Sequence, residues 1–122
     1  MLEDFAVQNN GIPIYVQLRE YILALVGRGV LKPGSQLPTM RQVAVTLKID
    51  LNTVQRAYGE LERDGLITLE RGRGSFVAET PPPRDSHAVA DRVAAQAVAQ
   101  ARVAGIGLED LAAALARLKA QP

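Results

Sequence analysis

LPTMRQVAVTLKIDLNTVQRAYGELERDGLITLERGRGSFV, residues 37–77, is the stretch on which the fold turns. Thr39-Met40-Arg41-Gln42 has the spacing of a capping box, in which a hydroxyl and an amide each satisfy a backbone N–H left over at a helix start. A helix is therefore predicted from Met40, with Met40, Val43, Ala44 and Leu47 on one face. Lys48-Ile49-Asp50 leaves room only for a sharp turn, and Asp50 is the expected cap of the next helix. That helix should cover residues 51–64, because Val54, Ala57, Tyr58 and Leu61 recur at inward spacing and Gly65 supplies the stop. Asn52, Gln55, Arg56 and Gly59 are left pointing outward, a row able to meet base edges and phosphates at a helix N-terminus.

Residues 66–69 and 75–78 read as strands, and Glu70-Arg71-Gly72-Arg73-Gly74 between them is a glycine-punctuated loop carrying two guanidinium groups. Helix, turn, helix and a basic-tipped hairpin is the order of a winged helix-turn-helix. The expected fold class is mainly α with a small β-hairpin (α+β). On the N-terminal side, Phe5-Ala6-Val7 and the turn-like Gln8-Asn9-Asn10-Gly11 read as an arm. Pro13 suits a first helical position, and Ile14, Leu18, Ile22 and Leu25 keep helical spacing up to Gly27 and Gly29, with Arg19 and Glu20 on the solvated side. Pro33-Gly34 fits the centre of a type II turn that leads back to Thr39.

On the C-terminal side, Thr80-Pro81-Pro82-Pro83-Arg84 can continue neither strand nor helix and marks a boundary. The division expected is a winged domain over residues 1–79, a linker over 80–85 and a helical tail over 86–122, its first helix capped by Asp85 or Ser86. Ala90, Ala94, Ala97, Ala101 and Ala104 repeat at spacings of four and three, with Val93 beside them, a stripe that admits a close helix. Gly105-Ile106-Gly107 breaks the helix, and Leu108, Leu111, Leu115 and Leu118 form a second apolar row. Two such helices are too few to bury both rows. A second copy of the tail would cover them, giving a two-fold dimer; the other solution is that the tail folds back on its own winged domain.

Length and charge narrow the function. The 122 residues hold one compact domain and an appendage. No apolar run approaches the roughly 20 residues that span a bilayer, and the N-terminus lacks a basic, apolar signal, so a cytoplasmic location is expected. Cysteine is absent, which removes disulfides and thiolate metal sites. The net charge is only +1, and residues 1–80 carry nine Lys and Arg against nine Asp and Glu, so global basicity is not the basis of any nucleic-acid binding. Local placement matters more: Arg41, Lys48, Arg56, Arg71 and Arg73 belong to one face, with Glu60, Glu62, Asp64 and Glu70 mostly toward the far end of the second helix. No nucleophile set, metal motif or dinucleotide loop is present, and the lone His87 is expected to be exposed, so neither catalysis nor a cofactor is expected.

Several spaced motifs carry a resemblance: Pro13-Ile14-Tyr15-x-Gln17-Leu18, Leu31-x-Pro33-Gly34-x-x-Leu37-Pro38-Thr39-x-Arg41, Asn52-Thr53-Val54-x-Arg56-Ala57-Tyr58-x-x-Leu61, and Gly65-Leu66-Ile67 with Arg71-Gly72-Arg73-Gly74-x-Phe76-Val77. Over about two thirds of its length the chain resembles the N-terminal domain of GntR-type bacterial transcription regulators. Its short tail is similar to that of the YtrA branch. The resemblance implies DNA contact by Arg41, Asn52 and Thr53. For Arg41 the alternative is a surface arginine paired with an acid, and Thr53 serves as readily on phosphate as on a base. Many GntR-type regulators have arginine where this chain has Leu51 and Gln55. Leu51 would touch a thymine methyl or pack inward, and Gln55 has the geometry to pair with adenine.

Arg56 lies on the outward row at a position that can also be structural. Arg71, Gly72 and Arg73 fit contact with a minor groove or with phosphate, although any tight hairpin needs its glycines. Thr39 completes the expected DNA-binding set. The tail residues Ala90, Val93, Ala94, Ala97, Ala101, Leu108, Leu111, Leu115 and Leu118 are the expected dimer contacts. The resulting expectation is a homodimeric repressor on a pseudopalindromic operator, with double-stranded DNA and a second copy as partners and no membrane. Any small-molecule effector would sit in the dimer interface. The rival readings are a winged protein-interaction adaptor and a non-specific nucleic-acid binder.

Overall fold

The computed structural model describes residues 2–80 and 87–121, and their contacts divide the chain into two units, Met1–Thr80 and Pro81–Pro122. In the first unit a short 3-10 turn, Leu2–Asp4, precedes α1 (Ile14–Gly27), α2 (Met40–Leu47), α3 (Leu51–Arg63), β1 (Ile67–Glu70) and β2 (Gly74–Val77). The second unit holds α4 (His87–Val103) and α5 (Leu108–Ala120). The linker expected over 80–85, apart from Thr80, and the cap expected at Asp85 or Ser86 lie outside the described residues.

Helices α2 and α3 start where their caps predict. Thr39 Oγ1 accepts from the Gln42 backbone N–H at 3.1 Å, and Gln42 Oε1 accepts from the Thr39 N–H at 2.8 Å. Asp50 Oδ1 accepts from the Asn52 N–H at 3.0 Å. Between them Lys48 turns the chain with φ +57°, a left-handed conformation that side chains other than glycine seldom adopt. The inward rows then meet: Val43 of α2 and Val54, Ala57, Tyr58 and Leu61 of α3 are buried with Leu18, Ile22 and Leu25 of α1. Ile67, Val77, Leu31 and Leu37 close this core from the hairpin side.

Three expectations need correction. Pro13 is the residue before α1, not its first helical position, and Ile14 is 37% exposed, so the buried row of α1 begins at Leu18. The N-terminal segment is no free arm. Leu2 is buried, the Phe5 ring sits edge-on to Tyr21 at 5.1 Å, and Gln17 Nε2 donates to the carbonyls of Gln8 and Ile12. Arg19 does not lie on a solvated side, because its guanidinium is ion-paired with Glu60 of α3 as well as with its neighbour Glu20. Those carboxylates, Glu20 first and then Glu60, hold its proton more firmly than usual.

The hairpin strands are each displaced by about one residue from their expected bounds, and pair antiparallel from Ile67 opposite Val77 to Glu70 opposite Gly74. The chain after the Pro33-Gly34 turn also pairs with the free edge of β2. Gly34 N–H donates to Val77 C=O, Val77 N–H to Ser35 C=O and Leu37 N–H to Ser75 C=O, each at 2.8 Å. Gly34 has φ +80° and Ser35 N–H reaches Lys32 C=O at 3.0 Å, the signature of the expected type II turn. The lead-in to α2 is thus stitched along the hairpin.

In the second unit α4 and α5 are joined across Gly105, and Ile106 N–H donates to Ala101 C=O at 2.8 Å. Ala101 is buried, Ala97 and Leu111 are half-buried, and Ala90, Val93, Ala94, Leu108, Leu115 and Leu118 are exposed. Ala104 falls just past α4. Among the described residues no helix is long and apolar enough to cross a membrane.

Candidate nucleic-acid interface

The cap that starts α2 leaves Thr39 with more to give. Its oxygen is used as acceptor by Gln42, but a hydroxyl keeps a donor hydrogen, and Thr39 is exposed. Arg41, two residues on, is exposed and has no side-chain partner among the described residues. In the first turns of α3, Asn52 and Gln55 are exposed and also lack side-chain partners among the described residues, while Thr53 and Leu51 are half-buried. A hollow of about 310 Å³ joins these two helix starts to the hairpin: it is lined by Thr39, Met40 and Arg41, by Leu51 and Gln55, and by Leu69, Gly74 and Ser75.

The structure therefore brings together Thr39, Arg41 and Gln55 of the expected set. Asn52 and Thr53 share the same first turn of α3 but do not line the hollow. Arg56 is engaged elsewhere: its guanidinium carbon lies 3.9 Å from the centre of the Tyr15 ring on α1, and its Nε is 3.8 Å from Glu60 Oε2. The arginine remains 62% exposed along its side chain. Glu60 thus faces two guanidinium groups, Arg19 and Arg56, and its charge is balanced in place.

At the hairpin tip Gly72 has φ +79° and Arg73 N–H donates to Glu70 C=O at 2.9 Å, a turn whose third residue must be left-handed. The two arginines beside it differ. Arg73 pairs with Glu70 at 3.0 Å and leans over the Phe76 ring at 5.1 Å, on the strand face opposite Leu69 and Ser75. Arg71 is exposed with no side-chain partner among the described residues. Gln36 Nε2 donates to the Arg73 carbonyl at 2.8 Å and fixes the base of the tip.

Sequence reasoning missed Leu69 and Gln36. Strand alternation holds the signal for Leu69, since it shares a face with buried Ile67 but stands one step nearer the tip, where it is 56% exposed. Gln36 carried no local signal, because its partner is 37 residues away. Deep in the unit, Tyr58 Oη donates to the Pro38 carbonyl at 2.7 Å, and burial pushes its phenol well above the ordinary range. Among the described residues no group of three or more His, Cys, Asp or Glu is placed to hold a metal.

Residues 14–77 match the sequence model described as "Bacterial regulatory proteins, gntR family". The chain is 36% identical over 102 residues to the HTH-type transcriptional repressor YtrA of Bacillus subtilis, an alignment covering 81% of this chain and 78% of that one. Of several other curated relatives it spans only 14–55% of the length. Among solved structures it is similar to YtrA from Sulfolobus acidocaldarius, a GntR-family transcription factor, with a TM-score of 0.63 at 25% identity over 93% of this chain and 95% of that one. It is also similar to the DNA-binding domain of AraR in complex with operator ORX1, with a TM-score of 0.54 at 27% identity over 62% and 90% of the two chains.

Proposed function

Because the chain belongs to the gntR family of bacterial regulatory proteins, we propose that it is a sequence-specific DNA-binding transcription regulator, a homodimeric repressor acting at a pseudopalindromic operator. The observation that carries this is the convergence of Thr39, Arg41 and Gln55 on one hollow where two helix starts meet the hairpin. Helix N-termini favour phosphate, and outward side chains at the start of α3 reach the major-groove edges of bases. Similarity to a domain solved on its operator and to a named repressor supports the same reading.

In this reading residues 1–79 bind DNA and 86–122 dimerise. Arg41 reads guanine, Gln55 and Asn52 meet base edges, and Thr39 and Thr53 hold phosphates. Arg56 reaches phosphate from the flank of α3, while Arg71, Gly72 and Arg73 approach a minor groove. The exposed row Leu108, Leu115 and Leu118, with Leu111 and the alanine stripe, covers itself in a two-fold dimer. Two recognition helices then face half-sites a whole number of helical turns apart, about 10–10.5 base pairs each. Occupying a promoter blocks polymerase without further parts, in the cytoplasm where the operator lies.

The test is selection of duplexes from a random pool by the full chain at about 150 mM salt, beside Arg41→Ala. A two-fold symmetric site that Arg41→Ala binds about tenfold or more weakly supports the reading. Equal retention of scrambled duplexes with a steep salt slope points instead to non-specific binding, and no retention at any salt to a protein adaptor.

A further inference from the structure

We infer that the hollow at the start of α3 recognises the 5-methyl group of a thymine, with Leu51 as the residue that determines this specificity. The inference deepens the DNA-binding reading and rests on it. Leu51 is the first residue of α3, half-buried, yet it is not among the apolar side chains that build or pack against the core. Leu69 on β1 lines the same hollow, is exposed, and is also outside that set. Two leucines that the core does not use are therefore held beside Arg41 and Gln55 on the face that meets DNA. The core cluster does not account for them.

Leucine offers no donor and no acceptor, so it gains nothing from the polar edges of guanine, adenine or cytosine. Among the four bases, thymine alone presents an apolar group in the major groove. Gln55 fits the same setting, because its amide can donate to N7 and accept from N6 of an adenine. The hollow thus pairs an apolar wall for a methyl with an amide for adenine, and predicts an A·T pair at this point of each half-site.

Replacing thymine by uracil removes the methyl and nothing else. Each thymine of the selected duplex is exchanged in turn, and the full chain is titrated against the series at one salt concentration. One thymine per half-site should lose about fourfold in affinity when exchanged, the value of one methyl-sized apolar contact. Leu51→Ala should bind the thymine and uracil duplexes equally, whereas Gln55→Ala should keep the gap and lose preference at adenine. If Leu51→Ala fails to fold by circular dichroism, Leu69→Ala, changed at an exposed position, should shrink the same gap. A selected duplex with no uracil-sensitive thymine, or a gap unaltered in the leucine variant that folds, overturns the inference and leaves the DNA-binding reading standing. A pool from which no duplex is selected overturns both.

Discussion

Tyr58 ties two helices together through one oxygen. Its ring fills the core and its hydroxyl supplies the Pro38 carbonyl, immediately before the cap of α2. Tyr58→Phe leaves that carbonyl without its donor, and urea denaturation should show a loss of about 1–2 kcal/mol. The same burial gives a pH signature. An unfolded tyrosine releases its proton near pH ~10, whereas the folded chain retains it, so above that pH the unfolded state binds fewer protons and stability falls. Tyr58→Phe should lose this part of the alkaline decline, which denaturation midpoints from pH 8 to about 11 would reveal. Lys48 is the opposite kind of residue, exposed and strained. At φ +57° it carries a cost that glycine avoids, so Lys48→Gly should raise stability by about 0.5–1 kcal/mol, and a lower midpoint would contradict the strain.

At the scale of elements, α3 is held against α1 by charge as well as by its apolar row. Glu60 of α3 sits between Arg19 and Arg56, and its side chain is only 17% accessible. Electrostatics alone says that removing an acid from a helix proposed to meet DNA strengthens binding. The pairing says otherwise: Glu60→Gln should destabilise the domain by about 1 kcal/mol and leave operator affinity the same or lower, and an affinity gain would show that the pair does not position α3. This link was invisible in the sequence, where Arg19 read as solvated, because 41 residues separate the partners and periodicity describes one helix at a time. The helices themselves were legible, since the capping box and the Asp50 cap are local and the rows Val54, Ala57, Tyr58 and Leu61 repeat within one element. The edge pairing of Ser35 and Leu37 with β2 was not, because a segment containing Pro-Gly shows no strand alternation and its hydrogen bonds reach about 40 residues along the chain. Of the proposed interface, the polar residues announced themselves by type, whereas Leu69 is marked only by strand alternation with buried Ile67 and is easily taken for core.

At the scale of the molecule, the proposed dimer stands on leucines that α5 leaves exposed. Leu115 is 53% exposed, so Leu115→Glu should spare the winged unit and break the pair. Sedimentation should give a dimer for the natural chain and a monomer for the variant, with the operator bound far more weakly; an unchanged sedimentation coefficient would rule out α5 as the contact. The seam between the lead-in to α2 and β2 bears on how such proteins diverge. Because Gln36 grips the Arg73 carbonyl and Leu37 shares a hydrogen bond with Ser75, the hairpin is not an interchangeable cassette bounded by residues 66 and 78. A chimaera that borrows a relative's tip must borrow residues 34–37 with it, and recombination breakpoints between the two would yield domains whose tip is aimed wrongly although every helix is intact.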